Sequence, residues 1–165
     1  MKNRLVILSC FILLSGCTVQ SSQWNAIKDV LAAKEPMGES WLLTYGGVTS
    51  NVVPITSEAL VVFGNANGIA VAFDGWSIVS VVGFGPALTV KADSDTRVYS
   101  RGARTVTHTC SAWRNIPLAS GSMWEQRCET EFSYENRITL DSQGRIISID
   151  QAVDARGNRL QLKKQ

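Results

Sequence analysis

From Trp41 onward the chain is a succession of short apolar runs, each cut off by glycine or by Asn and Asp. Trp41 to Tyr45 stops at Gly46-Gly47, Ala59 to Phe63 at the stretch from Gly64 to Gly68, Ile69 to Phe73 at Asp74-Gly75, and Trp76 to Val82 at Gly83. The runs are rich in β-branched and aromatic residues, and the breaks hold the residue types that tight turns require. A chain punctuated in this way buries its apolar side chains by folding a sheet back on itself.

The second half repeats the pattern in more polar form. Ala87–Lys91, Arg97–Ser100, Thr105–Ala112, Trp124–Phe132, Arg137–Leu140 and Arg145–Val153 are candidate strands. Alternation is clearest from Thr105 to Cys110 and from Cys128 to Phe132, where every second residue is charged or hydroxylated, so those strands have one wet face. Upstream, Trp24, Ile27, Val30 and Leu31 fall at helical spacing, and Pro36 and Gly38 end the pattern. The predicted fold is mainly β, an antiparallel β-sandwich or open β-barrel with one short N-terminal helix. A length of 165 residues suits a single domain with a real core.

The N-terminus predicts export. Met1 to Arg4 is a basic n-region, and Leu5 to Leu14 is an apolar run too short to span a bilayer, which together read as a signal peptide over residues 1–16. Leu14-Ser15-Gly16-Cys17 resembles the bacterial lipobox. That resemblance implies cleavage before Cys17 and acylation of its sulfur and of the new N-terminus; several acyl chains anchor durably where one does not. The alternative is an ordinary secretory peptide with an incidental Cys17. Thr18 and Val19 follow, with no Asp, which by analogy with lipoprotein sorting points to the outer membrane facing the periplasm. The organisation expected is a lipidated tether and helix over 17–40 and one all-β periplasmic domain over 41–165.

Processing also settles the charge. Of 16 Lys and Arg, Lys2 and Arg4 leave with the signal, so 14 basic residues face 14 acidic ones. With no basic stripe, nucleic acid and polybasic membrane recruitment are poor hypotheses.

Cys10 leaves with the signal and Cys17 takes the lipid, so Cys110 and Cys128 remain as a lone pair. In an oxidising periplasm that pair is most simply a disulfide, joining two strands as cross-strand partners and stapling a hairpin whose loop carries Trp113, Pro117 and Gly121. A metal site lacks partners, since His108 is the single histidine and there is no CxxC.

Catalytic chemistry is hard to assemble. His108 lies in an alternating strand and reads as a solvated or sheet-face residue. Carboxylate pairs exist in Glu125, Glu129 and Glu131, in Asp93 with Asp95, and in Asp141 with Asp150, without a feature that separates any pair from surface decoration. Gly83-Phe84-Gly85-Pro86 lacks the third glycine, the helix and the lysine of a phosphate loop. No catalytic residue, metal or cofactor is therefore expected. Among five tryptophans, Trp24 and Trp41 read as core or helix-docking residues and Trp76 as opening a buried strand. Trp113 and Trp124 flank the disulfide loop and are the candidate glycan or partner contacts, the alternative being that they plug the end of the fold.

Asn136-Arg137, an apolar strand, Asp141 to Gly144 as a turn, then a strand through Ile146 to Asp150-Gln151 form a hairpin by turn chemistry alone. These residues resemble the C-terminal hairpin of the outer-membrane lipoproteins associated with group 4 capsule and related exopolysaccharide operons. Leu160 to Lys164 is similar to that family's last strand, Ala59–Val62, Gly68 and Val82-Gly83-Phe84 to its strand and aliphatic-Gly segments, and Trp24 to Ile27 to its early aromatic helix. The chain departs from the family at Ile138, Thr139 and Ile149, and it is shorter. The resemblance implies an all-β periplasmic domain supporting capsule or exopolysaccharide export or assembly, with export proteins or the polysaccharide as partners. Two other readings stay open: an envelope structural or inhibitor-like lipoprotein that binds a periplasmic protein, and a glycan hydrolase using carboxylates.

Overall fold

The computed structural model describes residues 38–165 apart from Glu58 and Phe132. Cys17, the signal peptide and the helix expected from Trp24 lie outside the described residues. Among the described residues there are thirteen strands and no helix: β1 (Trp41–Tyr45), β2 (Val48–Ser57), β3 (Leu60–Gly64), β4 (Ala70–Phe73), β5 (Ile78–Val82), β6 (Leu88–Ala92), β7 (Thr96–Arg101), β8 (Arg104–Cys110), β9 (Arg114–Leu118), β10 (Gly121–Glu129), β11 (Tyr134–Asp141), β12 (Ile146–Ala152) and β13 (Arg159–Lys164).

Each strand from β1 to β8 pairs antiparallel with the next, β13 pairs with β1, and β10, β11, β12 and β13 follow one another. The ring is closed by β8 against β10, so twelve strands form a complete antiparallel barrel with β9 as an extra strand on β10. The mainly β, antiparallel expectation holds; of its two alternatives the structure takes the barrel, and that barrel is closed where an open one was expected. Closure satisfies the backbone groups that an open sheet would leave at its two edges.

Closure rests on a short seam, with as few registered pairs as β5 has with β6. β8 meets β10 in only two registered pairs, Cys110 with Cys128 and Thr109 with Glu129, and the Cys110–Cys128 disulfide sits in that seam. Beyond a kink at residues 111–113 the same edge of β10 is taken over by β9, from Arg114 opposite Glu125 to Leu118 opposite Gly121. The segment expected as a hairpin loop is thus a strand, because Ser111 carries the ladder across the kink: its N–H donates to the Arg127 carbonyl (2.7 Å) and its Oγ accepts from the Arg127 N–H (3.1 Å). Gly121 is obligatory at the β9–β10 turn, where φ is 150° and a Cβ would lie 2.0 Å from the Leu140 carbonyl oxygen.

Inward-facing residues divide the barrel interior. β13 and β1 to β6 contribute an apolar half that includes Leu43, Val52, Phe63, Val71, Phe73, Ile78, Val81 and Leu162, all at most 3 % exposed. Each such side chain contributes about 1.5–3 kcal/mol by leaving water. The strands β7, β8, β10, β11 and β12 line the other half with Arg97, Tyr99, His108, Gln126, Asn136 and Gln151, also buried. His108, expected to be a solvated or sheet-face residue, lies on the inward face of β8 and is buried, because its parity matches that of Cys110.

Alternation of twelve strands gives the barrel two distinct ends. One carries the 74–77, 93–95, 111–120 and 142–145 connections together with both ends of the described chain, where the Gln165 N–H donates to the Ser40 carbonyl. The other carries the 102–103 and 153–158 turns.

Candidate functional site

Three tryptophans meet at the first of these ends. Trp113 lies in the 111–113 kink, Trp124 is an inward-parity residue of β10, and Trp76 tops the β4–β5 connection. The Trp76 ring centre is 5.7 Å from that of Trp113 and 5.1 Å from that of Trp124, which it meets edge to face at 87°. The sequence reading placed Trp76 at the start of a buried strand, and the structure corrects this: it is 46 % exposed. Asp74 causes the difference. Its Oδ1 accepts from the Trp76 and Ser77 N–H groups (2.8 and 2.6 Å), making a tight turn that buries Ser77 and turns Trp76 outward.

Beneath the rings lies Arg97, with no exposed surface. Its guanidinium carbon is 5.7 Å from the Trp113 ring centre, within cation–π range. Nε donates to Gln126 Oε1 (2.8 Å), one terminal nitrogen to Gln151 Oε1 (3.3 Å) and the other to Ser77 Oγ (3.1 Å). All three acceptors are neutral, and among the described residues no ion pair includes Arg97. Burial pulls its pKa down from the usual guanidinium value, while an arginine keeps its charge in proteins.

The acceptors are themselves held. Gln151 Nε2 donates to the Trp76 carbonyl (2.7 Å), and Gln126 Nε2 to the Ser111 carbonyl (3.1 Å). Asn136 Nδ2 approaches Gln126 Oε1, and its Oδ1 accepts from the Ala152 N–H (2.9 Å). One polar network therefore ties both tryptophan-bearing loops to the barrel interior, fixing the aromatic cluster over a buried positive charge. Aromatic rings grouped at a barrel rim can stack on the apolar faces of sugar rings or receive an apolar side chain, and the cation below favours a partner carrying negative charge.

The remaining sequence candidates are elsewhere. Glu125 and Asp150 face outward: Glu125 bridges Arg114 of β9 (3.0 Å) and Arg137 of β11 (3.1 Å), and Asp150 pairs with Arg159 (2.8 Å). Burial works against the charged form of Glu125, but its two arginines outweigh it and hold its pKa below the usual value. Asp141 accepts from the Gln143 and Arg145 N–H groups and pairs with Arg145, which keeps its carboxyl low. His108 Nδ1 lies 2.9 Å from the Tyr134 hydroxyl, itself 2.8 Å from that of Tyr99. Burial lowers the His108 pKa and raises those of both tyrosines. Phe84 packs edge-on against Tyr45 as a turn residue.

Sequence reasoning named Trp113 and Trp124 and missed Trp76 and Arg97. A signal existed for Arg97: it precedes Tyr99 at strand period 2, which puts both on one face.

No protein-family model and no curated protein matches the chain in sequence. Among solved structures, the crystal structure of the hypothetical lipoprotein YmcC from Escherichia coli (K12) is similar, with a TM-score of 0.56 over 86 % of this chain and 92 % of that one. At 10 % identity the likeness is one of fold: this chain shares the β-barrel architecture of a hypothetical lipoprotein.

Proposed function

We propose that the chain is a non-enzymatic lipoprotein, anchored through Cys17 in the outer membrane and facing the periplasm, that supports capsule or exopolysaccharide export or assembly. The observation that carries this reading is the grouping of Trp76, Trp113 and Trp124 at one rim of a closed barrel, an aromatic surface suited to glycan or protein contact. The lipobox-like Leu14 to Cys17, the capsule-lipoprotein-like hairpin from Asn136 to Gln151 and the fold shared with a hypothetical lipoprotein support the setting. Deletion of the gene, and separately a Trp113→Ala/Trp124→Ala variant exported at normal level, should lower surface polysaccharide output. Unchanged output on deletion, where the neighbouring genes are required, refutes the reading.

A second reading is an envelope structural or inhibitor-like lipoprotein that binds a periplasmic protein. It is favoured by β9, whose outer edge pairs with no strand among the described residues and whose Leu118 is 42 % exposed. Cross-linking from positions beside Trp113 and Trp124 separates the two: a single protein partner outside any polysaccharide machinery favours the second.

A further inference from the structure

The far end of the barrel holds a different concentration of charge. Arg101 and Arg104 face each other directly across the β7–β8 turn, and with Arg156, Asp154, Tyr99 and Leu88 they line a pocket of about 420 Å³. That volume falls in the range of small-molecule sites, roughly 300–1,000 Å³. Like charges directly opposite on paired strands are destabilising, a cost that an anion held between them would offset. In a chain whose mature charges balance, the three arginines are gathered against one carboxylate.

That carboxylate is already engaged. Asp154 Oδ1 accepts from the Arg156 and Asn158 N–H groups (2.9 and 3.1 Å) and Oδ2 from Asn158 Nδ2 (2.7 Å), while the Arg156 guanidinium is 3.9 Å away. Among the described residues no ion pair includes Arg101 or Arg104. Two planar forks with free donors, beside the half-buried Val106 and Ala155 of the same pocket, match an anionic group carried on a ring with an apolar face.

We propose that this mouth binds an acidic sugar, its carboxylate held between Arg101 and Arg104 with Arg156 at the rim, and its ring against Val106 and Ala155. The anion follows from the arginines; the choice of a sugar acid rests on the polysaccharide reading above.

The test is titration of the mature protein with glucuronate, glucose and inorganic phosphate, following the arginine side-chain N–H resonances by NMR. Glucuronate should shift Arg101 and Arg104 saturably, bind more weakly as salt rises, and lose tenfold or more in affinity in Arg101→Gln and in Arg104→Gln, while glucose leaves these resonances unmoved. The thermal midpoint of Arg104→Gln should equal or exceed that of the parent, because the like-charge pair is gone, so that weaker binding is not unfolding. Absence of glucuronate binding, or affinity in both variants unchanged from the parent, overturns the proposal. So does phosphate that saturates these arginines where glucuronate does not, which would make the mouth a phosphate site. Glucuronate binding at these arginines beside an unchanged polysaccharide output on deletion would overturn the export reading alone.

Discussion

Replacing both Cys110 and Cys128 by alanine tests how much of the barrel depends on the two-pair seam that closes it. The cysteines are 18 residues apart in sequence, and the chain-entropy relation for a loop of that length gives about 3 kcal/mol of stabilisation through the unfolded state. In the folded state the disulfide guards the two-residue β8–β10 contact, whereas the opposite edge of β10 is held to β11 by eight registered pairs. Alanine avoids burying new hydroxyls, since Cys128 has no exposed surface. Urea unfolding of the variant and of the reduced parent should show coincident losses of about 3 kcal/mol, equivalent to a fall of ~10 °C in Tm. Hydrogen exchange should quicken first at the Ser111 and Arg127 amides, which bridge the kink. A loss under ~1 kcal/mol, or exchange at Ser111 as slow as in β12–β13, would mean that the β9–β10 pairing closes the wall without the covalent link.

Two further outcomes follow from the interior. Asn136→Ala leaves the buried Ala152 N–H without its acceptor and should cost about 2–3 kcal/mol; a change below ~0.5 kcal/mol would show that the network re-forms around the gap. His108 is buried with its pKa held below the ordinary 6.5, so on acidification the unfolded chain takes up the proton first: stability is full above about pH 6.5 and declines as pH falls towards the folded-state value. His108→Gln should flatten the fall in urea midpoint between pH 7.5 and 5.5, and parallel slopes for parent and variant would refute the assignment.

The strand texture was readable because closed antiparallel barrels keep inward and outward residues in strict alternation, as from Thr105 to Cys110, and because glycine and Asx residues mark the reversals. The cross-strand pairing of Cys110 with Cys128 followed from the same alternation. Three things were hidden. Closure depends on the register of β8 against β10, a two-residue contact set by the kink at 111–113 and invisible to periodicity. β2 and β9 contain Pro54 and Pro117 and show little apolar alternation, so they read as connections. The polar half of the interior defeated the assumption that inward means apolar: Arg97, Gln126, Asn136 and Gln151 satisfy one another, which no one-dimensional pattern displays. Trp76 was misplaced because its apolar character suggested a core strand, while the Asp74 turn had already fixed it outside.

An even number of staves returns the chain to the end it started from. Ser40 and Gln165, whose backbones touch, therefore lie at the same end of the barrel as the tryptophan rim, and the arginine mouth is at the other. This gives the barrel a polarity along its axis: a molecule approaching one mouth meets the tryptophans, and one approaching the other meets the arginines. A fluorophore fused at the C-terminus would report on the first encounter, and one inserted in the 102–103 turn on the second.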